Sequence, residues 1–460
     1  MTLARYLVVY TVVHQPHRLK VPAQPIPAGA TPADIERCLF DRALDRRYLG
    51  QVAAKCYRPA VALFHDLVQD GFRLNIGFSE TLLDQLAAWD RPVLEGFKSL
   101  VRQPGVELIG VEPEHSFVFY LDLQRFIRGL RAYRQRLEKG FGVPVAVTDT
   151  TEMFMGSDLY FAVARAGFRG AVMDGRPWVM DWRRSTHVYH HGLPLRLLCR
   201  HTELSDDVGY RFSDRHWSGF PLMAPTYADW VAACAGDFVF VGWDFETFGE
   251  HHWADSGIFD FMRALPGELR RRGVEFLTAS EALDRFGAGA HDLPLPAFNA
   301  TWAGDGGVGF FLGNPVQQAI FQLMHHAYNQ ALLTDDPRLV QIAVRLMQSD
   351  TLHMTQWFGR SDDQAQVSAY FTPREWWPLG PDGIVWHLQQ VYKNFIAACG
   401  PAAVAAATRR ATGGESGDDG AAIEAGPPPR GTRPPAEGGR TVSPRRAVRP
   451  RGRAAPPAGQ

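Results

Sequence analysis

The sequence predicts an α/β barrel of parallel strands, followed by a mostly helical region. Short β-branched or aromatic runs alternate with stretches of helical period over residues 1–288. Strands that alternate with helices form a parallel sheet covered by helices, and about seven such units suggest a closed or nearly closed barrel. After about Ala288 the strand-like runs stop, and only helical segments continue.

Each strand of the barrel is predicted from one apolar run. These runs are Tyr6–Val13, Arg73–Phe78, Val106–Val111, Val143–Thr148, Gly170–Met173, Leu195–Arg200 and Phe238–Asp244. The predicted helices between them include Arg58–Asp70, Glu80–Leu100, Leu121–Lys139 and Ser157–Ala166. A further strand, Glu275–Thr278, precedes a helix over Ser280–Phe286 that we expect Ser280 to cap.

The chain is expected to have three parts. Residues 1–288 form the barrel, and residues 289–400 form a helical domain packed on it, because no flexible linker separates them. Its predicted helices are Gln317–Leu333, Asp336–His353 and Ile384–Ala397. Residues 401–460 are rich in Ala, Gly, Pro and Arg and contain no aromatic residue, which predicts a disordered tail from Pro401 onward.

Composition excludes several classes of protein. The formal net charge of −1 favours neither nucleic acid nor an anionic membrane as a partner. Five scattered cysteines without a CxxC pair predict free thiols rather than a zinc ribbon or a disulfide framework. The N-terminal apolar run lacks a cleavage site, and no eighteen consecutive apolar residues occur, so we expect a cytoplasmic protein. Oligomeric state is left open.

The segment Val241–Trp253 is the most informative part of the sequence. It carries three carboxylates, two histidines and four aromatic residues directly after a buried-strand pattern. In parallel barrels the carboxyl ends of the strands form the active site, and aromatic rings can stack on sugars. The segment therefore predicts carbohydrate chemistry.

Two carboxylates, Glu152 and Asp244, each close an apolar strand. Because strand ends converge at a barrel mouth, residues far apart along the chain can face each other there. Cleavage of a glycosidic bond uses such a pair, one as nucleophile or base and one as acid. The alternative is that each acid caps a helix or binds loop amides.

Five motifs occur along the chain in a recognisable order. They are His14-Gln15-Pro16, Gly77-Phe78-Ser79-Glu80, Thr150-Thr151-Glu152, Asp244-Phe245-Glu246-Thr247-Phe248-Gly249-Glu250-His251 and Leu277-Thr278-Ala279-Ser280-Glu281. In these motifs the chain resembles glycoside hydrolase family 57, and the resemblance extends from about Tyr6 to Ala397. The fourth motif is the longest and most specific.

The resemblance implies a (β/α)7 barrel, distorted relative to a TIM barrel. It implies an α-amylase-like enzyme that acts on α-1,4-linked glucans or malto-oligosaccharides with retention of configuration. Glu152 would be the nucleophile and Asp244 the acid/base, with the two carboxyl groups about 5–5.5 Å apart. Apolar walls and the neighbouring carboxylate would raise the pKa of the acid.

Around the two acids we predict a set of substrate-binding residues. The resemblance places His14 beside the bond that is cleaved, and Asp350 on a helical segment that approaches the barrel. The others are Gln15, Trp243, Glu246, His251, Trp253 and Trp357. Tryptophans are included because aromatic rings pack on pyranose faces. No metal and no cofactor is predicted.

Three alternatives stay open. A 4-α-glucanotransferase would share the first half-reaction and pass the sugar to a hydroxyl instead of water. A metal-dependent polysaccharide deacetylase could use His14, His17, Asp149 and His251 as ligands. A non-catalytic glucan-binding homologue would keep the fold with a vestigial site.

Overall fold

The computed structural model describes residues 3–413 of the chain. These residues contain ten strands: β1 Tyr6–Val13, β2 Leu74–Phe78, β3 Val106–Ile109, β4 Val147–Thr148, β5 Gly170–Asp174, β6 Val188–His190, β7 Arg196–Arg200, β8 Val239–Asp244, β9 Glu275–Leu277 and β10 His291–Asp292. The strands predicted from sequence are all present, while the short strands β6 and β10 were not predicted.

The helices of the barrel layer are α1 Pro32–Leu39, α2 Arg42–Val52, α3 Arg58–Gln69, α4 Glu80–Trp89, α5 Arg91–Val101, α6 Val118–Leu121, α7 Leu123–Phe141, α8 Ser157–Ala166, α9 Pro177–Met180, α10 Thr202–Gly209, α11 Ala224–Ala233, α12 Ile258–Arg271 and α13 Ala279–Phe286. The helices that follow are α14 Gly309–Leu312, α15 Pro315–Leu332, α16 Pro337–Arg345, α17 Ser349–Met354, α18 Asp363–Tyr370 and α19 Gly380–Gly413. Both groups lie in one compact unit that extends to Thr412.

Seven parallel strands surround the interior of the barrel. One sheet has the order β3-β2-β1-β8, with the short strand β9 also paired in parallel to the start of β1, and a second places β4, β5 and β7 side by side. A parallel bridge between Gly110 and Thr148 joins β3 to β4. At the other seam the His201 N–H donates to the Phe240 carbonyl at 2.7 Å. The predicted (β/α)7 barrel is therefore confirmed, and β6, antiparallel to β7, lies outside this ring.

Continuous apolar runs explain the parallel strands. Nearly every residue of β1 and β8 is buried, as expected where helices cover one face and side chains fill the other. The carboxyl ends of the strands meet at one mouth, where β1 pairs Val12 with Asp244 of β8. Residues at the carboxyl ends of these strands, such as Asp244, can therefore face the mouth.

Local caps correct two of the predicted helices. The predicted helix Glu80–Leu100 is two helices, because Asp90 ends α4 and its side chain accepts a hydrogen bond from Val93 N at the start of α5. Thr278, and not Ser280, caps α13 in a capping box with Glu281.

A second break positions the helical region on the barrel. The predicted helix Asp336–His353 divides into α16 and α17. Just before α17, the Gln348 amide accepts from His17 N at 2.7 Å and donates to His17 O at 3.1 Å. This pair of bonds fixes the start of α17 at the barrel mouth.

The predicted start of the tail at Pro401 is wrong. Helix α19 continues through Pro401 to Gly413, and its small residues Cys399, Ala403 and Ala406 are buried along one side. Helical packing thus needs no aromatic residue here. The rest of the predicted tail, residues 414–460, lies outside the described residues. No helix within residues 3–413 has the length and apolar character needed to cross a bilayer.

Candidate active site

Glu152 lies in a short 3-10 turn, Thr151–Met153, directly after β4. Its backbone is left-handed, with φ 52° and ψ 32°, and Met153 follows with φ 51°. Such angles are uncommon for residues other than glycine, and they are concentrated at functional sites. The Thr301 hydroxyl donates to the Glu152 carbonyl at 2.6 Å and holds this turn in place.

Both oxygens of the Glu152 carboxylate accept a hydrogen bond. The Ser349 hydroxyl donates to Oε1 at 2.9 Å, and the Trp302 indole donates to Oε2 at 2.7 Å. His115 Nδ1 lies 3.8 Å from Oε1. These contacts orient the carboxylate, and its side chain keeps 13% of its surface exposed.

Asp244 is the last residue of β8 and part of its surface remains accessible. Burial, and then the charge of Glu152, raise the pKa of Asp244 to about 7, while His14 and Arg200 act in the opposite direction. The charge of one carboxylate thus acts on the titration of the other, as expected for two acids in one site.

His14 connects the end of β1 to the helical region. Its Nε2 lies 3.0 Å from Asp350 Oδ2, and its Nδ1 lies 2.7 Å from the Ser79 hydroxyl. Burial acts to raise the pKa of Asp350, but His14, His115 and then His353 together lower it well below its usual range. Asp350 is therefore a carboxylate that faces imidazole rings on the barrel.

His115 stacks on His14 with ring centroids 4.3 Å apart and planes 27° apart. Burial, and then the neighbouring His14, lower the pKa of His115 to about 4, while Glu152 and Asp350 act in the opposite direction. The ring is consequently neutral near pH 7. Its backbone φ of 52° repeats the left-handed geometry of Glu152.

The described residues bring together one group of side chains with the spacing of metal ligands. It consists of His14, His115 and Asp350, whose ligand atoms lie within 4.8 Å of one another. The deacetylase alternative named a different set. His17 Nδ1 instead lies 3.5 Å from Asp45 Oδ2, and Asp149 accepts from the Tyr10 hydroxyl at 2.8 Å.

Two further buried acids lie beneath the mouth. Burial raises the pKa of Asp149 to about 8 against the effect of its bond from Tyr10. Burial and the charge of Asp244 raise the pKa of Glu246 to about 8. The Tyr57 hydroxyl, on a single π-helical turn between α2 and α3, donates to Glu246 Oε1 at 2.5 Å. Protonation lets these acids lie near Asp244 without adding negative charge.

A cationic network supports the neighbouring strand ends. Arg200, which ends β7, donates to Asp174 Oδ1 at 3.0 Å and to Asp206 Oδ1 at 2.5 Å. Its guanidinium also lies over the ring of Trp302, 5.6 Å from the centroid. Arg176 donates to the carbonyl oxygens of Thr301, at 3.2 Å, and Trp302. The loop that carries Trp302 is thereby held against the barrel.

The predicted substrate-binding residues fall into three groups. His14, Glu246 and Asp350 lie with the two acids. The Gln15 side chain is buried and accepts from Arg18 Nη2 at 3.2 Å. Trp243 is 1% exposed and its indole donates to the Ser205 carbonyl at 2.9 Å, so no ring face is free for a sugar. Its predicted role in binding is corrected: Trp243 belongs to the core.

The remaining three predicted residues are His251 and Trp253, which follow β8, and Trp357 in the helical region. The His251 ring meets Phe371 edge to face at 5.7 Å, and burial lowers the pKa of His251 to about 3. Trp253 is 56% exposed. Trp357 is stacked on Phe358 at 4.1 Å, with its indole bonded to Thr372 Oγ1 at 3.2 Å.

Sequence reasoning missed the contacts of three residues: Trp302 and Ser349 donate to Glu152, and Arg200 lies over the Trp302 ring. Trp302 lies in the Gly-rich segment Trp302–Gly307, which carries no strand or helix pattern. Arg200 ends a predicted strand, and that position is the signal that could have identified it. Ser349 is adjacent to the predicted Asp350, but its bond to Glu152 has no signature in the sequence.

A parallel barrel with two acids that follow the carboxyl ends of its strands is an arrangement that glycoside-processing enzymes use. The family model "Glycosyl hydrolase family 57" matches residues 8–294. The chain belongs to glycosyl hydrolase family 57.

One curated relative shares enough sequence to support the same assignment. A "Putative alpha-amylase" of Methanocaldococcus jannaschii is 31% identical over 314 residues, which is 67% of this chain and 66% of the relative. The chain therefore spans about two thirds of that relative's length.

Solved structures with low identity share the fold. A branching enzyme of the same family from Pyrococcus horikoshii has a TM-score of 0.57 at 15% identity, covering 85% of this chain and 94% of that one. A 4-alpha-glucanotransferase from Thermococcus litoralis has a TM-score of 0.56 at 14% identity, covering 76% and 56% respectively.

Proposed function

We propose that the protein is a retaining, α-amylase-like glycoside hydrolase that acts on α-1,4-linked glucans. The observation that carries this proposal is the position of two acids at one mouth, Glu152 in the turn after β4 and Asp244 at the end of β8. The pKa of Asp244 is raised to about 7 by burial and by the charge of Glu152, as a general acid requires near neutral pH.

The proposed reaction is a double displacement. Glu152 attacks the anomeric carbon, while Asp244 donates its proton to the glycosidic oxygen and the bond to the leaving sugar breaks. Water then attacks the glycosyl-enzyme, Asp244 takes its proton, and the bond to Glu152 breaks. Hydrogen bonds from Ser349 and Trp302 support this role, because they hold the Glu152 carboxylate in a single orientation.

His14 and Asp350 are proposed to bind hydroxyl groups of the sugar at the cleaved bond. Asp350 is held ionised, since the neighbouring imidazoles lower its pKa, and an ionised carboxylate is a strong hydrogen-bond acceptor. Glu246, with a pKa raised to about 8, carries a proton near pH 7 and can orient Asp244. The proposed substrate is thus recognised by polar groups from both the barrel and the helical region.

Transfer to a sugar hydroxyl is a second candidate function. Trp253 supports it, because this ring is 56% exposed just past the acid-bearing segment and can stack an acceptor sugar in place of water. Hydrolysis and transfer share the first displacement and differ only in the group that attacks the glycosyl-enzyme.

Incubation with maltotriose and maltoheptaose tests both candidates. Hydrolysis yields only shorter sugars, whereas transfer also yields longer ones. Proton NMR of the first products is expected to show the α-anomer, as retention requires. Glu152→Gln and Asp244→Asn should each reduce turnover by at least about a hundredfold while the fold survives.

Two surface variants serve as controls. Glu95→Gln and Asp284→Asn remove carboxylates that are 56% and 65% exposed, and both should retain full turnover. Turnover that is unchanged in Glu152→Gln and Asp244→Asn would overturn the catalytic assignment. A wild-type protein that binds maltoheptaose without converting it would instead identify a non-catalytic homologue.

A further inference from the structure

Two large aromatic rings lie stacked on the surface, outside the site described above. The rings of Trp178 and Phe298 have centroids 5.5 Å apart and planes only 15° apart. The two residues are 43% and 63% exposed. We call this pair the Trp178–Phe298 platform.

Both rings are tied to the surroundings of Glu152. Trp178 lies two residues after Arg176, whose guanidinium donates to the carbonyl oxygens of Thr301 and Trp302. Phe298 lies four residues before Trp302, whose indole donates to Glu152. Both rings therefore lie on segments that also carry residues in contact with Glu152 or with the Trp302 loop.

The segment that carries Phe298 is clamped onto the chain that follows Glu152. Met155 N donates to Ala300 O at 2.9 Å, and Ala300 N donates back at 2.8 Å. Ser157 N donates to Pro296 O at 2.9 Å. The backbone on both sides of Phe298 is thus hydrogen-bonded to the segment that follows Glu152.

Gly156 shows how closely these two segments approach. A Cβ at this position would lie 2.6 Å from Asn299 Oδ1 and 3.2 Å from the carbonyl oxygens of both Phe298 and Pro296. A residue with a side chain would separate the segments, so the close approach depends on glycine here.

We propose that the Trp178–Phe298 platform binds a glucose unit of an α-glucan chain at a distance from the cleaved bond. This inference rests on the proposed function. The two rings are nearly parallel and stacked on each other, and both keep exposed apolar surface. An exposed aromatic face suits the C–H face of a pyranose and needs no charged partner. Because Phe298 lies four residues before Trp302, we expect a substrate chain that leaves the active site to reach the platform.

The size of the platform favours a sugar over a protein partner. The two rings together expose roughly 200 Å², judged from the area of whole aromatic side chains. A stable protein interface requires about 800 Å² from each partner. A single sugar chain crossing the platform needs far less surface than that.

The test compares a long and a short substrate in the full-length protein. Trp178→Ala, Phe298→Ala and the double variant are assayed on amylose and on maltotriose. The ratio of kcat/KM for amylose to that for maltotriose should fall about fivefold or more in the double variant. Trp178→Phe should restore most of the ratio, since it keeps an aromatic face.

Trp386→Ala is the matched control, because Trp386 is 57% exposed on α19 and lies against His387 rather than in the platform. Circular dichroism melting checks that each variant is folded. An unchanged ratio in the folded double variant overturns the platform while the proposed function stands. A wild-type protein inactive on both substrates overturns the proposed function itself.

Sedimentation velocity tests whether the platform instead binds a second copy of this chain. If the double variant loses a dimer that the wild type forms, and its substrate ratio is unchanged, the platform joins two copies of this chain and the proposal is wrong. Loss of the ratio without any change in sedimentation supports the glucan.

Discussion

The Ser349 hydroxyl donates a hydrogen bond of 2.9 Å to Glu152 Oε1, although 197 positions separate the two residues. The next residue, Asp350, lies 3.0 Å from His14 Nε2 at the end of β1. Two adjacent residues of α17 thus contact two different strand ends of the barrel. Gln348 fixes this junction through its two bonds to the His17 backbone. The helical region completes the proposed site rather than merely covering it.

The bond from Trp302 to Glu152 is a direct test of how the carboxylate is held. Trp302→Phe keeps an aromatic ring but removes the indole N–H that donates to Oε2 at 2.7 Å. Hydrogen bonds to charged groups contribute about 1.5–3 kcal/mol, so kcat/KM should fall about ten- to a hundredfold. Steady-state kinetics on maltoheptaose measures the effect.

Trp386→Phe is the control for this substitution, since its exposed ring lies on α19. It should leave kcat/KM within about twofold of wild type. If kcat/KM of Trp302→Phe also stays within about twofold of wild type, the indole does not orient the nucleophile.

The raised pKa of Asp244 predicts how activity changes on the alkaline side of its pH profile. The proposed acid must carry its proton, and its pKa is raised to about 7 by burial and by the charge of Glu152. Activity should therefore fall as pH rises through about 7. The measurement is kcat/KM on maltoheptaose between pH 4.5 and 9, at roughly half-unit steps. An activity that is constant up to pH 9 would contradict Asp244 as the acid.

Asp350 is expected to act through its contact with His14. Asp350→Asn keeps the shape of the side chain but removes the charge that faces His14 Nε2. A lost charge-assisted hydrogen bond predicts a fall in kcat/KM of about ten- to a hundredfold. Kinetics on maltotriose, with separate kcat and KM, shows whether binding or turnover is affected. If kcat and KM of Asp350→Asn equal those of the wild type, Asp350 has no role in the site.

Buried acids predict how stability depends on pH. Burial raises the pKa values of Glu112, Asp149 and Glu246 each to about 8. In the unfolded chain these groups titrate near about 4, so the folded state holds more protons between these values. The stabilising contribution is present below about pH 4 and is lost as pH rises through about 8. The midpoint of thermal unfolding should thus be higher at pH 6 than at pH 8.5.

Glu112→Gln isolates one of these groups, because Glu112 accepts from Ser116 N at 2.6 Å and from its hydroxyl at 3.2 Å, apart from the two catalytic candidates. The variant should show a smaller difference in midpoint between the two pH values than wild type. Glu95→Gln, at the surface, should keep the full difference. An identical pH dependence in Glu112→Gln and wild type would show that Glu112 does not titrate in this range.

The barrel was predictable because its strands are continuous apolar runs. The run Phe238–Val241 predicts β8, and its last residue, Asp244, reaches the mouth by the geometry of parallel strands. The same logic placed Glu152 and His14. Trp243 was misread because alternation along the strand turns its ring away from the mouth, and burial there outweighs its value as a sugar platform.

The rest of the site depends on contacts that have no local pattern. Trp302 reaches Glu152 from a Gly-rich loop, and Ser349 does so from a short helix. Neither position is set by helical or strand periodicity. One predicted helix was wrong for a related reason. The apolar pattern of Glu80–Leu100 is continuous, but the side chain of Asp90 caps α5 and so separates it from α4.

The junction at α17 has a practical consequence for anyone who clones this protein by domain boundaries. The match to the family model ends at residue 294. A recombinant fragment cut there would discard both Ser349 and Asp350. Such a truncated barrel should be inert toward malto-oligosaccharides even if it purifies as a soluble, well-formed species.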